Sequence, residues 1–205
     1  MANVNSHQKG CIRVPTPEKT SLTKIVAAGR ELLEEVGRQG LTMQSVAERV
    51  GVRAPSLYKH VGNRADLLRA VAEAIIDDLA AQGEATGGSL EELLRSYRRF
   101  ARARPEGFRL MFAPEAPPDA LVRLITPVVE ASGRLAGEEH ALEAARTVTA
   151  WATGFIGMEL NGLFRMGGDV DRAFEYGLAA ILRALRDDRG PAEADSCPPP
   201  GEMGR

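Results

Sequence analysis

The chain has 205 residues, a formal net charge of −2 and 26% charged residues. That length supports one large or two small domains with a substantial core, and no apolar run approaches the ~18 residues needed to cross a bilayer, which excludes a helical membrane protein. The two cysteines, Cys11 and Cys197, stand near opposite ends of the chain in no metal-ligand spacing, so neither a disulfide framework nor a cysteine-built metal centre is expected.

Residues 1–17 are rich in Asn, Pro and Ser, show no hydrophobic periodicity and are expected to form a flexible arm. They hold Lys9 and Arg13 but lack the apolar core of a secretory signal, so the expected compartment is the cytoplasm. Lys9, Arg13 and Lys19 would permit a DNA contact, with a solvated tail as the simpler reading. A first helix follows from about Pro17 to Arg38, where Leu22, Ile25, Ala28, Leu32, Leu33 and Val36 recur as an apolar stripe. Gly37 and Gly40 bracket its end and give the turn.

Thr42 to Leu68 is the most informative stretch. Thr42 suits an N-cap, its hydroxyl accepting from the N–H of Gln44 or Ser45, and Val46, Ala47 and Val50 at helical spacing place a helix at Met43–Val50. Gly51 can enter the left-handed region and stop that helix, after which Val52 returns to the core. Pro55, with φ preset, opens a second short helix through Ser56, Leu57, Tyr58, Lys59 and His60. Leu57 and Val61 face inward, leaving Ser56, Tyr58, Lys59 and His60 on an outward face that is polar, basic and aromatic.

From Arg38 to Arg64 there are five basic residues and one acid, Glu48, a local charge of +4 against the chain's −2. Basic side chains neutralise phosphates, and the outer face of the second of two helices can enter a major groove. The functional reading is a helix-turn-helix that binds duplex DNA; the alternative is an αα-corner with solvated Arg and Lys. Arg53, Ser56, Tyr58, Lys59 and His60 are the candidates for groove contacts, with Pro55 opening the helix that presents them. Thr42, Gln44 and Arg64 are placed for phosphates.

The run T-x-x-x-[V/I]-A-x-x-x-G-V-x-x-x-x-L-Y-x-H-[F/V]-x-x-[K/R]-x-x-L-L, from Thr42 to Leu68, resembles the DNA-binding domain of the TetR family of transcriptional regulators. With its flanking helices the resemblance covers roughly fifty residues. Val61 stands where the family usually carries Phe, and Arg64 where Lys is common. The resemblance implies an all-α protein: a three-helix DNA-binding head with a helix-turn-helix, joined to a helical-bundle ligand-binding and dimerisation domain.

Beyond the head, Gly62 and Asn63 cap a long helix from Arg64 to about Gln82, with Leu67, Leu68, Val71, Ile75 and Leu79 on one face. Gly83 to Gly88 reads as a flexible break and the natural domain boundary. Ser89 with Glu92 forms a capping box for the next helix. Arg104 and Pro105 close it and open a short helix, Glu106 to Phe112. A rigid loop, Ala113 to Pro118, precedes a helix of about Asp119 to Leu135 that Pro127 should kink. Two long helices complete the pattern, about Glu138 to Arg165 and Asp169 to Asp188. The expected division is an arm at 1–17, a head at 18–63, a connecting helix with the effector-binding and dimerisation domain at 64–188, and a disordered tail at 189–205.

Two surfaces stand out in the second half. Ala150, Gly154 and Gly157 put small residues along one side of the penultimate helix, while Val170, Phe174, Leu178, Ile181, Leu182 and Leu185 form a stripe on the last. Helix-interior Gly costs about 1 kcal/mol relative to Ala, so a close backbone approach is expected, in a homodimer interface or within the chain. TetR-like regulators dimerise through their last two helices, which is what the resemblance implies here.

Phe100, Phe108, Met111, Phe112, Trp151, Phe155 and Met158, together with Tyr97, suit an adaptable pocket for a small hydrophobic effector, or plain core. Glu159 among them would orient a ligand, pair with Arg146 or Arg165, or lie on a solvated face. Tyr97 to Phe112 and Thr153 to Leu160 also resemble a TetR subgroup whose motif has His-Gly followed by a Leu-Glu pair; Thr153 replaces that His. No Ser-His-Asp set, HExxH, Gly-rich phosphate loop or Cys/His metal spacing accompanies His7, His60 or His140, so no enzyme, metal or cofactor is expected. The expected function is a ligand-responsive repressor that binds a palindromic operator as a homodimer. A DNA-binding dimer without an effector, or an activator, is the alternative.

Overall fold

The computed structural model describes residues 20–187; the arm expected at 1–17 and the tail at 189–205 lie outside them. Ser21 caps helix α1 (Leu22–Gly40), its hydroxyl accepting from the Lys24 N–H at 3.3 Å. The helix therefore starts at Leu22 rather than near Pro17, because the extended Ser21 supplies the first acceptor. Ile25, Ala28, Leu32 and Leu33 are buried as the stripe requires, whereas Leu22 and Val36 are exposed at its ends. Gly37, at φ +69°, breaks the helical path before the turn into the next element.

Helix α2 (Met43–Val50) is opened by a reciprocal capping box. The Thr42 hydroxyl accepts from the Ser45 N–H at 3.0 Å, and the Ser45 hydroxyl accepts from the Thr42 N–H at 2.9 Å. Gly51, at φ +76°, ends it in the left-handed conformation, and the Val52 N–H closes back on the Ala47 carbonyl. Helix α3 (Ala54–Leu57), with Pro55 in its first turn, is shorter than expected. Residues 58–60 continue as turns because the N–H groups of His60 and Val61 share the Leu57 carbonyl. That tightening returns Val61, only 5% exposed, to the core.

Helix α4 (Arg64–Glu84) follows an Asn63 cap whose side-chain oxygen accepts from the Asp66 N–H at 3.0 Å. Its 21 residues correspond to about 32 Å of rise. Gly83 and Glu84 belong to the helix and not to the expected break, since Gly83 is buried, with Leu93 packed so near that a Cβ would approach it to 3.0 Å. The turn is confined to residues 85–88, where Gly87 and Gly88 take positive φ.

The body consists of α5 (Leu90–Ala103), α6 (Pro105–Leu110), α7 (Pro118–Ala136), a 3-10 turn (Glu138–His140), α8 (Ala141–Leu160) and α9 (Val170–Asp187). Helix α7 runs on through Pro127. Helix α8 stops at Leu160 rather than Arg165, because Asn161 and the positive-φ Gly162 turn the chain there. One core runs without interruption from Ile25, Leu33 and Val46 of the head through Leu67, Val71 and Ile75 of α4 to Phe108, Met111 and Ile156 of the body. A second, around Leu94, Val148, Phe174 and Leu178, joins α5, α8 and α9.

Arg98 locks that second core. Only 7% exposed, it makes a bidentate pair with Glu159 (2.8 and 2.7 Å), reaches Asp171 at 2.7 Å and lies 4.6 Å from the centre of the Phe174 ring. One guanidinium thereby ties α5 to α8 and α9 with most of its donors satisfied. Next to it, Arg95 binds Glu175, Glu92 and Glu91. Hydrogen bonds from Arg98 and Arg95 hold the carboxyls of Asp171 and Glu175 below their ordinary values.

Carboxyls depressed in the folded chain add stability that is fully present above their unfolded pKa and is lost as pH falls through the folded one. The melting temperature should therefore be flat near neutrality and drop once pH passes below the ordinary glutamate value of 4.5. Arg98→Met should lower stability by about 3 kcal/mol at neutral pH, because the Glu159 carboxylate stays largely buried and loses its bidentate partner. It should also make the acid limb shallower; thermal melts across pH check both.

Candidate nucleic-acid interface and apolar cavity

The recognition face is built by the α2 capping box, the Gly51 turn and the Pro55 start of α3, which together fix where α3 projects. Arg53, Pro55, Tyr58 and Lys59 are exposed, Tyr58 at 54%, while Ser56 and His60 are half-buried beside them. Thr42 and Gln44 sit at the start of α2. The Thr42 hydroxyl is engaged in the capping box, and the exposed Gln44 amide donates to the Glu48 carboxylate at 2.6 Å.

The five basic residues counted from the sequence have different employment. Arg49 is held by Glu31 and Glu35 of α1, and Arg38 by Glu115 at 2.6 Å. Arg64 turns back onto the head, donating to the Leu41 carbonyl at 2.8 Å and to the Arg38 carbonyl. Among the described residues, Arg53 and Lys59 have no ion-pair partner. Those two cations, flanked by Tyr58, Ser56 and His60, make a small positive face with polar and aromatic tips, suited to phosphates and base edges. The hydroxyl of Ser45 and the carbonyl-seeking role of Arg64 escaped sequence reasoning. A T-x-x-S spacing was the available signal for the first, and nothing local signals the second.

In the body, a cavity of about 320 Å³ lies between α4, α5, the end of α6, α7 and Thr149 of α8. Of the residues expected to line a pocket, Met111 and Phe112 do so. Phe108 is buried behind them, its ring 5.2 Å from Phe112 and 5.4 Å from Tyr97, which also lines the wall. Phe100 is plain core. Trp151 stacks on Phe174 and Phe155 meets it edge-on in the second core, and Met158 is 44% exposed. Glu159 faces Arg98, not Arg146 or Arg165, because α5 packs on α8 and brings the Arg98 guanidinium to it at 2.7 Å. The unexpected lining comes from aliphatic side chains such as Leu79, Leu94, Leu124 and Val128, whose helical spacing in sequence is that of ordinary core.

Helix α6 touches both regions. At its N-terminus, the Glu34 carboxylate of α1 accepts from the free N–H groups of Glu106 and Gly107 at 3.1 and 2.8 Å, satisfying two orphan donors of the first turn. Gly107 permits this approach: a Cβ there would come within 3.1 Å of Glu34 and 3.3 Å of Ile75. At its other end the chain passes directly into Met111 and Phe112 at the cavity wall.

A capped helix-turn-helix with an exposed basic and aromatic second helix, carried on a helical body with its own cavity, defines a DNA-binding regulator of transcription. Residues 25–71 match the family described as bacterial regulatory proteins, tetR family, and residues 90–181 the Tetracyclin repressor-like C-terminal domain. The chain is 32% identical to the tetracycline repressor protein class A from transposon 1721 of Escherichia coli, over 83% of this chain and 96% of that one. The crystal structure of Mycobacterium smegmatis BioQ is similar with a TM-score of 0.63 and 25% identity, covering 82% of this chain and 99% of that one. The fold also matches that of TetR-Q116A from Acinetobacter baumannii AYE in complex with minocycline, at TM-score 0.61 and 23% identity over 82% and 97% of the two chains. The chain belongs to the TetR family of transcriptional regulators. Among the described residues no helix is long and apolar enough to cross a membrane, and no group of three or more His, Cys, Asp or Glu could hold a metal ion.

Glu34→Ala should leave the α6 donors unpaired and cost about 1–3 kcal/mol, whereas Glu34→Gln, which keeps one acceptor, should cost less. Urea unfolding of the three proteins, with equal slopes, tests that order.

Proposed function

We propose that the protein is a cytoplasmic, homodimeric repressor that reads a palindromic operator and responds to a small hydrophobic effector bound in the body. The observation that carries this reading is α6: one end is anchored on α1 of the head through Glu34, and the other runs into the cavity wall at Met111 and Phe112. A ligand that prefers one position of α6 therefore prefers one position of the head, which is all that coupling between two sites requires. The similarity to a tetracycline repressor of Escherichia coli supports repression.

Dimerisation is supported by the outer faces of α8 and α9. A Cβ built at Gly154 or Gly157 meets nothing within 4 Å among the described residues, so these helix-weakening glycines serve no packing among them. Leu142, Met158 and Tyr176 are exposed on the same two helices. A second copy would cover such a face and set two heads on successive half-sites.

On an operator selected from random duplexes by the wild-type protein, Tyr58→Phe and Lys59→Ala should each weaken binding severalfold without changing helicity. Lys59→Ala should also reduce the slope of log affinity against log salt by about two per dimer. Unchanged affinity for both variants at fixed salt would overturn this placement of the groove contacts. For the dimer, Gly157→Trp should sediment as a folded monomer and lose operator affinity; a dimer that persists with full affinity counts against the α8–α9 face.

A further inference from the structure

We propose that the body cavity takes an uncharged, largely hydrocarbon molecule carrying one hydroxyl or carbonyl group, which hydrogen-bonds the Ser96 hydroxyl. This rests on the ligand-responsive reading above and names the chemistry that the same site selects.

The wall holds no Asp, Glu, Lys, Arg or His side chain among the described residues that form it. Three arginines on the wall-forming helices are engaged with acids outside the cavity: Arg98 with Glu159 and Asp171, Arg95 with Glu175, Arg123 with Asp77. A charged ligand would thus give up its hydration with no counter-charge to meet it, the costliest kind of burial. An apolar body instead gains from every part of the wall made by such residues as Leu79, Leu94, Leu124 and Val128. About 320 Å³ is at the small end of the ~300–1,000 Å³ typical of ligand pockets, which favours a compact molecule.

Three polar side chains interrupt the hydrocarbon: Ser96, Tyr97 and Thr149. The Tyr97 hydroxyl is engaged with Thr153 at 3.2 Å, and burial pushes its phenol up to about 12, so it stays neutral. Ser96 differs, being 5% exposed with no side-chain hydrogen-bond partner among the described residues. Thr149, from α8, likewise has none. A hydroxyl that faces a cavity with no partner in the protein is satisfied by whatever occupies that cavity. Because a hydroxyl both donates and accepts, it matches an alcohol, phenol or carbonyl equally well.

The test uses the full chain at neutral pH, with phenylnaphthylamine as a neutral fluorescent probe and naphthalene, naphthol and naphthoate as competitors sharing one ring system. Naphthol should displace the probe about fivefold better than naphthalene, the worth of one hydrogen bond, and at least about tenfold better than naphthoate. Ser96→Ala should erase the advantage of naphthol over naphthalene while leaving naphthalene unchanged; Ile125→Trp, which fills the cavity, should abolish all displaceable binding. Naphthoate competing as well as naphthol overturns the inference. So does a naphthol advantage that survives in Ser96→Ala, or probe binding that survives Ile125→Trp. Failure of every probe to bind saturably, with operator binding intact, takes down the ligand-responsive reading itself.

Discussion

The apolar stripe of α4 has to be covered twice along its length, and most of the structure follows from that constraint. At the N-terminal end, Leu67, Leu68 and Val71 are covered by α1; further along, Ile75, Ile76 and Leu79 are covered by α6 and α7. Because the two covers share one helix and one continuous core, the head is no independent module on a flexible tether. Gly29 shows how tight the crossing is, since a Cβ there would meet Val71 at 2.7 Å. Close packing of this kind transmits displacement instead of absorbing it.

Polar interactions refine what the apolar core fixes coarsely. Glu34 on the α6 amides and Arg38 on Glu115 join α1 to the segment that ends at the cavity, while the Arg38 guanidinium holds the Glu115 carboxyl below its usual range. On the far side of the body, Arg98 and Arg95 fasten α9 to α5. Between these two sets of anchors lies a cavity wall made almost wholly of hydrocarbon. The body is thus held rigidly at both edges and by dispersion and apolar burial in the middle, where an apolar molecule can substitute one set of contacts for another.

The head was legible in the sequence because its signals are local. Thr42, Gly51, Pro55 and Asn63 each act within three or four residues, and the structure places a cap, a left-handed turn, a helix start and a second cap at those positions. The body was legible only as a set of helices. Which of its apolar faces would enclose a space depends on how α4, α5 and α7 cross, so aromatic composition pointed toward Trp151 and Phe155, which became core, and passed over Leu124 and Thr149. The partner of Glu159 is 61 residues away, in Arg98, and no pattern along the chain encodes that distance. Net charge misled in a similar way: three of the five cations near the helix-turn-helix are consumed by contacts with α1, its closing turn and the loop after α6.

The fate of Arg64 has a mechanical consequence. By donating to the carbonyls of Arg38 and Leu41, it welds the start of α4 to the corner where α1 turns into α2, fixing the angle between the lever and the reading head. Rotation of α4 must then carry the recognition face along as one solid piece, with no melting of the head and little entropy exchanged. In the dimer proposed above, the quantity under control would be the distance between two such heads, so discrimination between bound and released states would depend on the fixed pitch of the double helix, a ruler that the protein itself does not have to encode.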